Sequence, residues 1–320
     1  MKKWIWMSGK DFSSDEWKRL FNKIQTSGIN AILLNGNEKV FETALPIAHK
    51  MGIEIHTWLI TMLGNNELAK KHPDWFAING LGESTAEKPQ YVNYYKWLCP
   101  NNPEVQEYLL DKVNDLSKIS ENSGVHLDYI RYCDVILPIG IQPDYNLVQT
   151  NEEPQYDYCY CHHCTKKFKE QYGTDPKKFS NPSQNKDWLQ FRFDSITNLV
   201  NKITKKVRAN EKQITAAVFP TLMQKNVRQQ WHKWNIDAVF PMIYHSFYNK
   251  NIDWIETETR NGINLLDNTK LYSGLFLPKI EVDELQKSID YAMKGGAAGI
   301  SLFDYNSMKD ELWEKIKAQK

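Results

Sequence analysis

The chain has 320 residues, 41% of them apolar and 25% charged, a globular balance with enough length for a large core. Lys plus Arg number 40 against 39 Asp plus Glu, which leaves no electrostatic footprint for nucleic acid or an anionic membrane. No apolar run approaches the roughly 18 residues a membrane-spanning helix needs, so neither a nucleic acid nor an inserted membrane is an expected partner.

Met1-Lys2-Lys3 resembles the start of a secretory n-region, but Lys10 and Asp11 interrupt before an apolar h-region develops. Trp4–Ser8 instead reads as a first strand. Ser13 and Glu16 then form a capping box ahead of a helix over Trp17–Ile24, which Gly28 stops. Further apolar runs follow at Asn30–Asn35, Ile53–Ile60, Gly124–Tyr132, Ile214–Pro220, Ala238–Tyr244, Leu271–Leu277 and Ala297–Asp304. Pro103, at the favoured first helical position, opens a helix over Glu104–Ile119. Other amphipathic helices are expected at Lys186–Arg208, Lys225–Trp234, Asp283–Lys294 and Met308–Lys317.

Eight strand-then-helix units with nearly continuous apolar strands predict an α/β fold, a single (β/α)8 TIM barrel spanning residues 1–320. An open doubly wound sheet is the competing architecture, but no glycine-rich phosphate turn follows the first strand. Two connections far exceed the usual length, at about 61–102 after the third strand and 133–185 after the fourth. Both leave carboxyl ends of strands, the face on which barrel active sites lie.

The strand Gly124–Tyr132 carries the main chemical signal. Its period of two puts His126 and Asp128 on one face, and a charge there faces a dry interior unless that strand end opens onto a site. Asp128 is therefore the first expected catalytic residue. Arg131, just beyond, could lower its pKa, bind substrate, or simply pin the loop. Asn35, His56, Trp58, Tyr244 and His245 fall near other strand ends and read as substrate-binding residues, although a lone histidine such as His56 more often sits satisfied in a core. Glycoside hydrolysis usually needs two carboxyls. Asp304, ending the eighth strand, is the expected second by position, with Asp134, Glu83, Glu152 and Glu153 as loop alternatives. Asp237 begins the sixth strand and belongs to the opposite, stability face.

Cys159, Cys161 and Cys164 stand with His162 and His163 in six residues. Closely spaced thiols suit tetrahedral Zn2+, with Cys133 as the expected fourth ligand and Cys99, His162 or His163 as substitutes. Four thiolates would leave no open position for water, so the expected zinc is structural. No organic cofactor is expected. Free thiols or a disulfide in an exported protein are the alternatives.

The run Val125-His126-Leu127-Asp128-Tyr129-Ile130-Arg131-Tyr132 resembles the glycosyl-hydrolase-like family 10 barrels. So do Leu98-Cys99-Pro100-Asn101-Asn102-Pro103-Glu104-Val105, Pro241-Met242-Ile243-Tyr244 and Gly299-Ile300-Ser301-Leu302-Phe303. The resemblance implies a bacterial carbohydrate-active barrel, commonly exported, and it implies Asp128 as catalytic; an exported protein with its signal absent from this chain is the expected localisation, with the cytoplasm as the alternative. The Cys159–Cys164 segment with Phe168 also resembles the zinc clip of family 42 β-galactosidases. Those enzymes use Glu at the ends of strands four and seven, whereas here the positions hold Asp128 and Leu277-Pro278, so their mechanism does not carry over. The expected function is hydrolysis of glycosidic bonds in a poly- or oligosaccharide. Two alternatives are a non-catalytic carbohydrate-binding barrel and a hydrolase with a metal inside the barrel. The latter is weakened because no strand carries an HxH pair.

Overall fold

Apolar runs rich in Ile, Leu, Val and Trp form strands buried on both faces, and parallel pairing follows because each strand is separated from the next by a crossover. In the computed structural model, which describes residues 1–317, the strands are β1 (Lys2–Ser8), β2 (Ala31–Asn35), β3 (Glu54–Ile60), β4 (Gly124–Asp128), β5 (Gln213–Val218), β6 (Ala238–Pro241), β7 (Lys270–Phe276) and β8 (Gly299–Phe303). They pair in parallel in chain order, and β8 closes on β1 with Lys2 opposite Gly299. The helices are α1 (Ser14–Thr26), α2 (Glu38–Lys50), α3 (Asn66–Lys71), α4 (Pro103–Lys118), α5 (His162–Tyr172), α6 (Lys186–Arg208), α7 (Trp254–Ile263), α8 (Glu284–Lys294) and α9 (Asp310–Lys317). The expected capping box is present at the start of α1. No described helix is long and apolar enough to cross a membrane.

Alternation along the strands separates two environments. Ile5, Ile32, Leu34, Leu275 and Ile300 face the helical shell, while Trp4, Trp6, Leu33, Phe240 and Tyr272 fill the barrel. His56 and His126 belong to this filling. Both Nδ1 atoms approach the Thr215 hydroxyl, at 3.0 and 2.8 Å. That hydroxyl has one proton, so it donates to one ring and accepts from the other. Burial pushes both imidazoles below their ordinary range, so they are neutral. Gly124 makes this packing feasible, because a Cβ there would lie 2.7 Å from His56 Nε2 and 2.8 Å from the Gln213 carbonyl oxygen.

Two expected elements differ. The fourth strand stops at Asp128, because Tyr129 takes a left-handed φ of 54° and turns the chain out of the sheet. The second insertion therefore starts at 129. Lys225–Trp234 is not an α-helix. Arg228 sits at φ 53°, and the segment holds only a short 3₁₀ turn at Trp231–Lys233, preceded by another at Thr221–Met223. Its helical periodicity loses to tertiary contacts, since the buried Arg228 guanidinium bonds Glu152 at 2.7 Å and Asp157 at 3.0 Å. Four helices were not expected: α2 and α7 complete the shell, and α3 and α5 lie in the two insertions. α2 begins under an Asn37 cap and continues through Pro46.

Candidate active site and thiol cluster

Asp128 ends β4 at the carboxyl-terminal mouth of the barrel, half-buried. Its Oδ2 accepts from the Trp58 indole N–H at 3.0 Å, and its Oδ1 accepts from the Tyr129 amide at 2.7 Å. Thr61 fixes the backbone from the neighbouring strand end, donating from both amide and hydroxyl to the Asp128 carbonyl oxygen at 2.9 and 2.7 Å. Burial pushes the carboxyl up to about 6, against the lowering pull of the Tyr129 amide, the Trp58 indole and Arg131. A carboxyl poised near neutrality and still reachable from solvent is suited to giving and taking protons.

Aromatic rings surround it. Trp58 packs edge-on against Trp6 at 5.0 Å. Phe303, Phe276 and Tyr244 continue around the mouth, with centroid separations of 6.2 Å between Phe276 and Phe303 and 5.1 Å between Tyr244 and Phe276. Tyr244 is buried, and its phenol lies in the field of both Asp128 and Asp304; burial first, and then these charges, raise it well above its ordinary range. It keeps its proton and can act only as a neutral hydrogen-bonding group. Asp304 follows β8, with Oδ1 accepting from Ser307 Oγ at 2.8 Å and Oδ2 from Asn306 Nδ2 at 3.2 Å.

The structure thus brings Asp128, Trp58, Tyr244 and Asp304 to one mouth, with Asn35 bracing the Trp58 carbonyl oxygen at 3.0 Å. His245 begins the turn after Tyr244, at the rim. Gly140 in the second insertion abuts this turn, where a Cβ would meet the Ser246 carbonyl oxygen at 2.3 Å. His56 is not at the mouth: it lies fully buried two residues into β3, near Glu54 at the amino end.

Arg131 does not bind Asp128. Its guanidinium donates to Asp134 Oδ2 at 2.7 Å, with both groups buried, and lies over the Trp97 and Phe219 rings at 4.6 and 4.7 Å. It braces the loop and faces no open surface, which fits the loop-pinning reading, and Asp134 is held in the same buried pair. Glu152 is likewise held by Arg228 and Lys225. Glu83 bonds Asn79 and Lys88, and Glu153 bonds Gln155. Asp237 accepts from the Ile214 amide at 2.7 Å below β6, at the stability face as expected. The rings Phe276 and Phe303 escaped the sequence reading. Their signal was available, since each stands two residues beyond an inward-facing strand position.

The thiol cluster differs in one ligand. Cys99, Cys159, Cys161 and Cys164 are all buried, and their sulfurs lie within 4.8 Å of one another. Cys99 Sγ is 3.3 Å from Cys161 Sγ and 3.5 Å from Cys164 Sγ. A tetrahedral ion with bonds of about 2.3 Å places its sulfurs about 3.8 Å apart, so the set fits. The Ile78 amide and Asn101 Nδ2 point at Cys159 and Cys164 sulfurs at 3.4 and 3.3 Å, the outer contacts that orient thiolate ligands. Cys133 is buried beside Asp134 and Arg131, outside this group, because the turn at Tyr129 carries it toward the loop anchor. His162 is exposed at the start of α5, and neither it nor His163 joins the cluster.

Residues 30–292 match the family model described as Glycosyl hydrolase-like 10. A curated relative, "Glycosyl hydrolase YngK" of Bacillus subtilis (strain 168), is 23% identical over 80% of this chain; the chain spans 56% of that relative's length. Among solved structures, a β-galactosidase from the psychrophilic Marinomonas ef1 superposes with a TM-score of 0.74 at 12% identity, over 100% of this chain and 59% of that one. The PgaB (BpsB) glycoside hydrolase domain of Bordetella bronchiseptica gives 0.69 at 10%, covering 96% and 95%. The catalytic domain of β-amylase from Paenibacillus polymyxa gives 0.66 at 12%, covering 99% and 97%. These superpositions agree with the closed (β/α)8 barrel, and the family match over most of the chain establishes that this protein belongs to the glycosyl hydrolase-like 10 family.

Proposed function

We propose that the protein hydrolyses glycosidic bonds in a poly- or oligosaccharide, with Asp128 as the proton-transferring carboxyl. The observation that carries this reading is Asp128 itself: a carboxyl at the barrel mouth, ringed by aromatic faces that suit sugars and raised to about 6 by burial. Its protonated fraction near neutrality supports general-acid assistance to the leaving oxygen, and the resulting carboxylate, received by the Trp58 indole and the Tyr129 amide, can later take a proton from water. Asp304, across Tyr244, is the second carboxyl in this reading.

The test is release of reducing ends from a panel of neutral oligosaccharides by wild type and by the Asp128→Asn variant. Release by wild type that falls at least a thousandfold in the variant, with the fold unchanged, supports the reading; equal rates overturn it. One observation favours a binding barrel without catalysis: both Asp304 oxygens are engaged by its own turn. Saccharide binding by titration calorimetry with no reducing ends released over a long incubation would select that alternative.

The four-thiol cluster supports a structural Zn2+ held by Cys99, Cys159, Cys161 and Cys164. Such an ion would supply cross-linking only. The residues would tie the first insertion, through Cys99, to the start of α5 in the second.

A further inference from the structure

Beyond the mouth, tyrosines run outward across both insertions. Tyr129, next to Asp128, meets Tyr95 at 6.5 Å; Tyr95 meets Tyr91 at 6.3 Å and the exposed Tyr94 at 5.2 Å. Tyr91 then meets Tyr145 at 6.0 Å and stacks on Tyr156 at 4.7 Å with planes 7° apart. The outer end opens into a slot of about 420 Å³ lined by Tyr91, Val92, Asp144, Tyr145, Leu147 and Tyr156.

The backbone is shaped to present this row. Tyr91 and Tyr129 are both left-handed, at φ 65° and 54°, a conformation that bulky residues rarely adopt and that concentrates at functional sites. Tyr91 is locked in place, donating to the Asp134 carbonyl oxygen and accepting from Gln149 Nε2, each at 2.9 Å. This holds its ring as the rigid back wall of the slot. Tyr94 is 58% exposed, and Tyr145 and Tyr156 keep part of their surface open.

We infer that the two insertions carry an extended binding track for a neutral glycan chain, running from the Asp128 mouth to the Tyr145–Tyr156 slot. The inference rests on the glycoside-hydrolase reading for what happens at the mouth, but not for binding along the track. Sugar rings present flat C–H faces that stack on tyrosine, with hydroxyls left over for the phenol oxygens. The charged side chain lining the slot is Asp144, and Glu153 lies close enough to Tyr156 to act on its phenol. Two acids disfavour uronates and other polyanions. The enzyme is therefore built for chains several sugars long, and short fragments engage only the mouth.

The probes are cello- and chito-oligosaccharides of two and of six sugars, with polygalacturonate as the anionic control, titrated against the Asp128→Asn protein so that binding is read without turnover. The six-sugar probes of at least one series should bind about tenfold more tightly than the two-sugar probes. Tyr145→Ala and Tyr156→Ala should erase that advantage while leaving two-sugar binding unchanged, and Tyr145→Phe, which keeps the ring, should retain it. Equal affinity for both lengths, no binding by either neutral series, an advantage that survives both alanine variants, or preferential binding of polygalacturonate would each overturn the inference. If binding behaves as described but the wild type releases no reducing ends, the track stands and the hydrolase reading fails.

Discussion

An Asp128→Asn substitution keeps the shape of the side chain and removes its titration, but its amide offers one acceptor oxygen to two donors, the Trp58 indole and the Tyr129 amide, so it carries a pH-independent loss of about 1–3 kcal/mol. Raising that carboxyl from 3.8 to about 6 corresponds to about 3 kcal/mol, at 1.36 kcal/mol per pKa unit. The native state binds this proton more tightly than the unfolded chain, so stability contributed at this position falls as pH rises from about 4 to about 6. Above 6 the penalty on the ionised group is complete; below 3.8 it is gone. Because part of Asp128 remains open to water, the stability of the variant relative to wild type should rise by roughly 2–3 kcal/mol between pH 3.5 and pH 8, on top of that constant loss. Urea unfolding at both pH values reads this directly. A difference between the two proteins that does not change with pH would refute the claim that burial has raised Asp128. The same substitution should abolish turnover, so the site holds its carboxyl at a cost to the fold.

Trp58→Phe keeps the ring but removes the N–H that favours the Asp128 carboxylate, so the pH dependence of turnover should move upward; an unmoved profile would show that the indole bond is immaterial. Arg131→Ala leaves the buried Asp134 charge unpaired and should cost about 3–5 kcal/mol of unfolding free energy, measured by denaturant titration. Cys99→Ser should lower bound zinc, read by elemental analysis, whereas Cys133→Ser should leave one ion per chain; the opposite pattern would restore Cys133 as the ligand. Chelation should lower the melting temperature without requiring loss of chemistry at Asp128, because the cluster joins insertions and not the mouth.

The barrel was legible because strands covered on both faces read as unbroken apolar runs, and Asp128 was legible because a carboxylate closes one of them. The depth of a residue inside the barrel was less so. His56 and Trp58 share a face of β3, and only the register against β2 and β4 separates a core imidazole from a ring at the mouth. Partner choice was hidden for a similar reason. Arg131 pairs three residues onward with Asp134 because left-handed Tyr129 turns the chain, and that turn also carries Cys133 away from the other thiols. Cys99 replaces it from about 60 residues upstream, a distance that only the folded first insertion closes. In Lys225–Trp234 the helical pattern was real, but the buried pairing of Arg228 with Glu152 and Asp157 outweighed it.

In the proposed mechanism a carboxyl holding its proton to about pH 6 performs the chemistry at the mouth of this barrel. The pH profile of kcat/KM, measured for wild type and Asp128→Asn on the best neutral glycan found, tests it most directly. A limb governed by a group titrating near 6 is expected in wild type, with turnover lost in the variant. Retention of that limb and of near-normal kcat/KM in Asp128→Asn would contradict it.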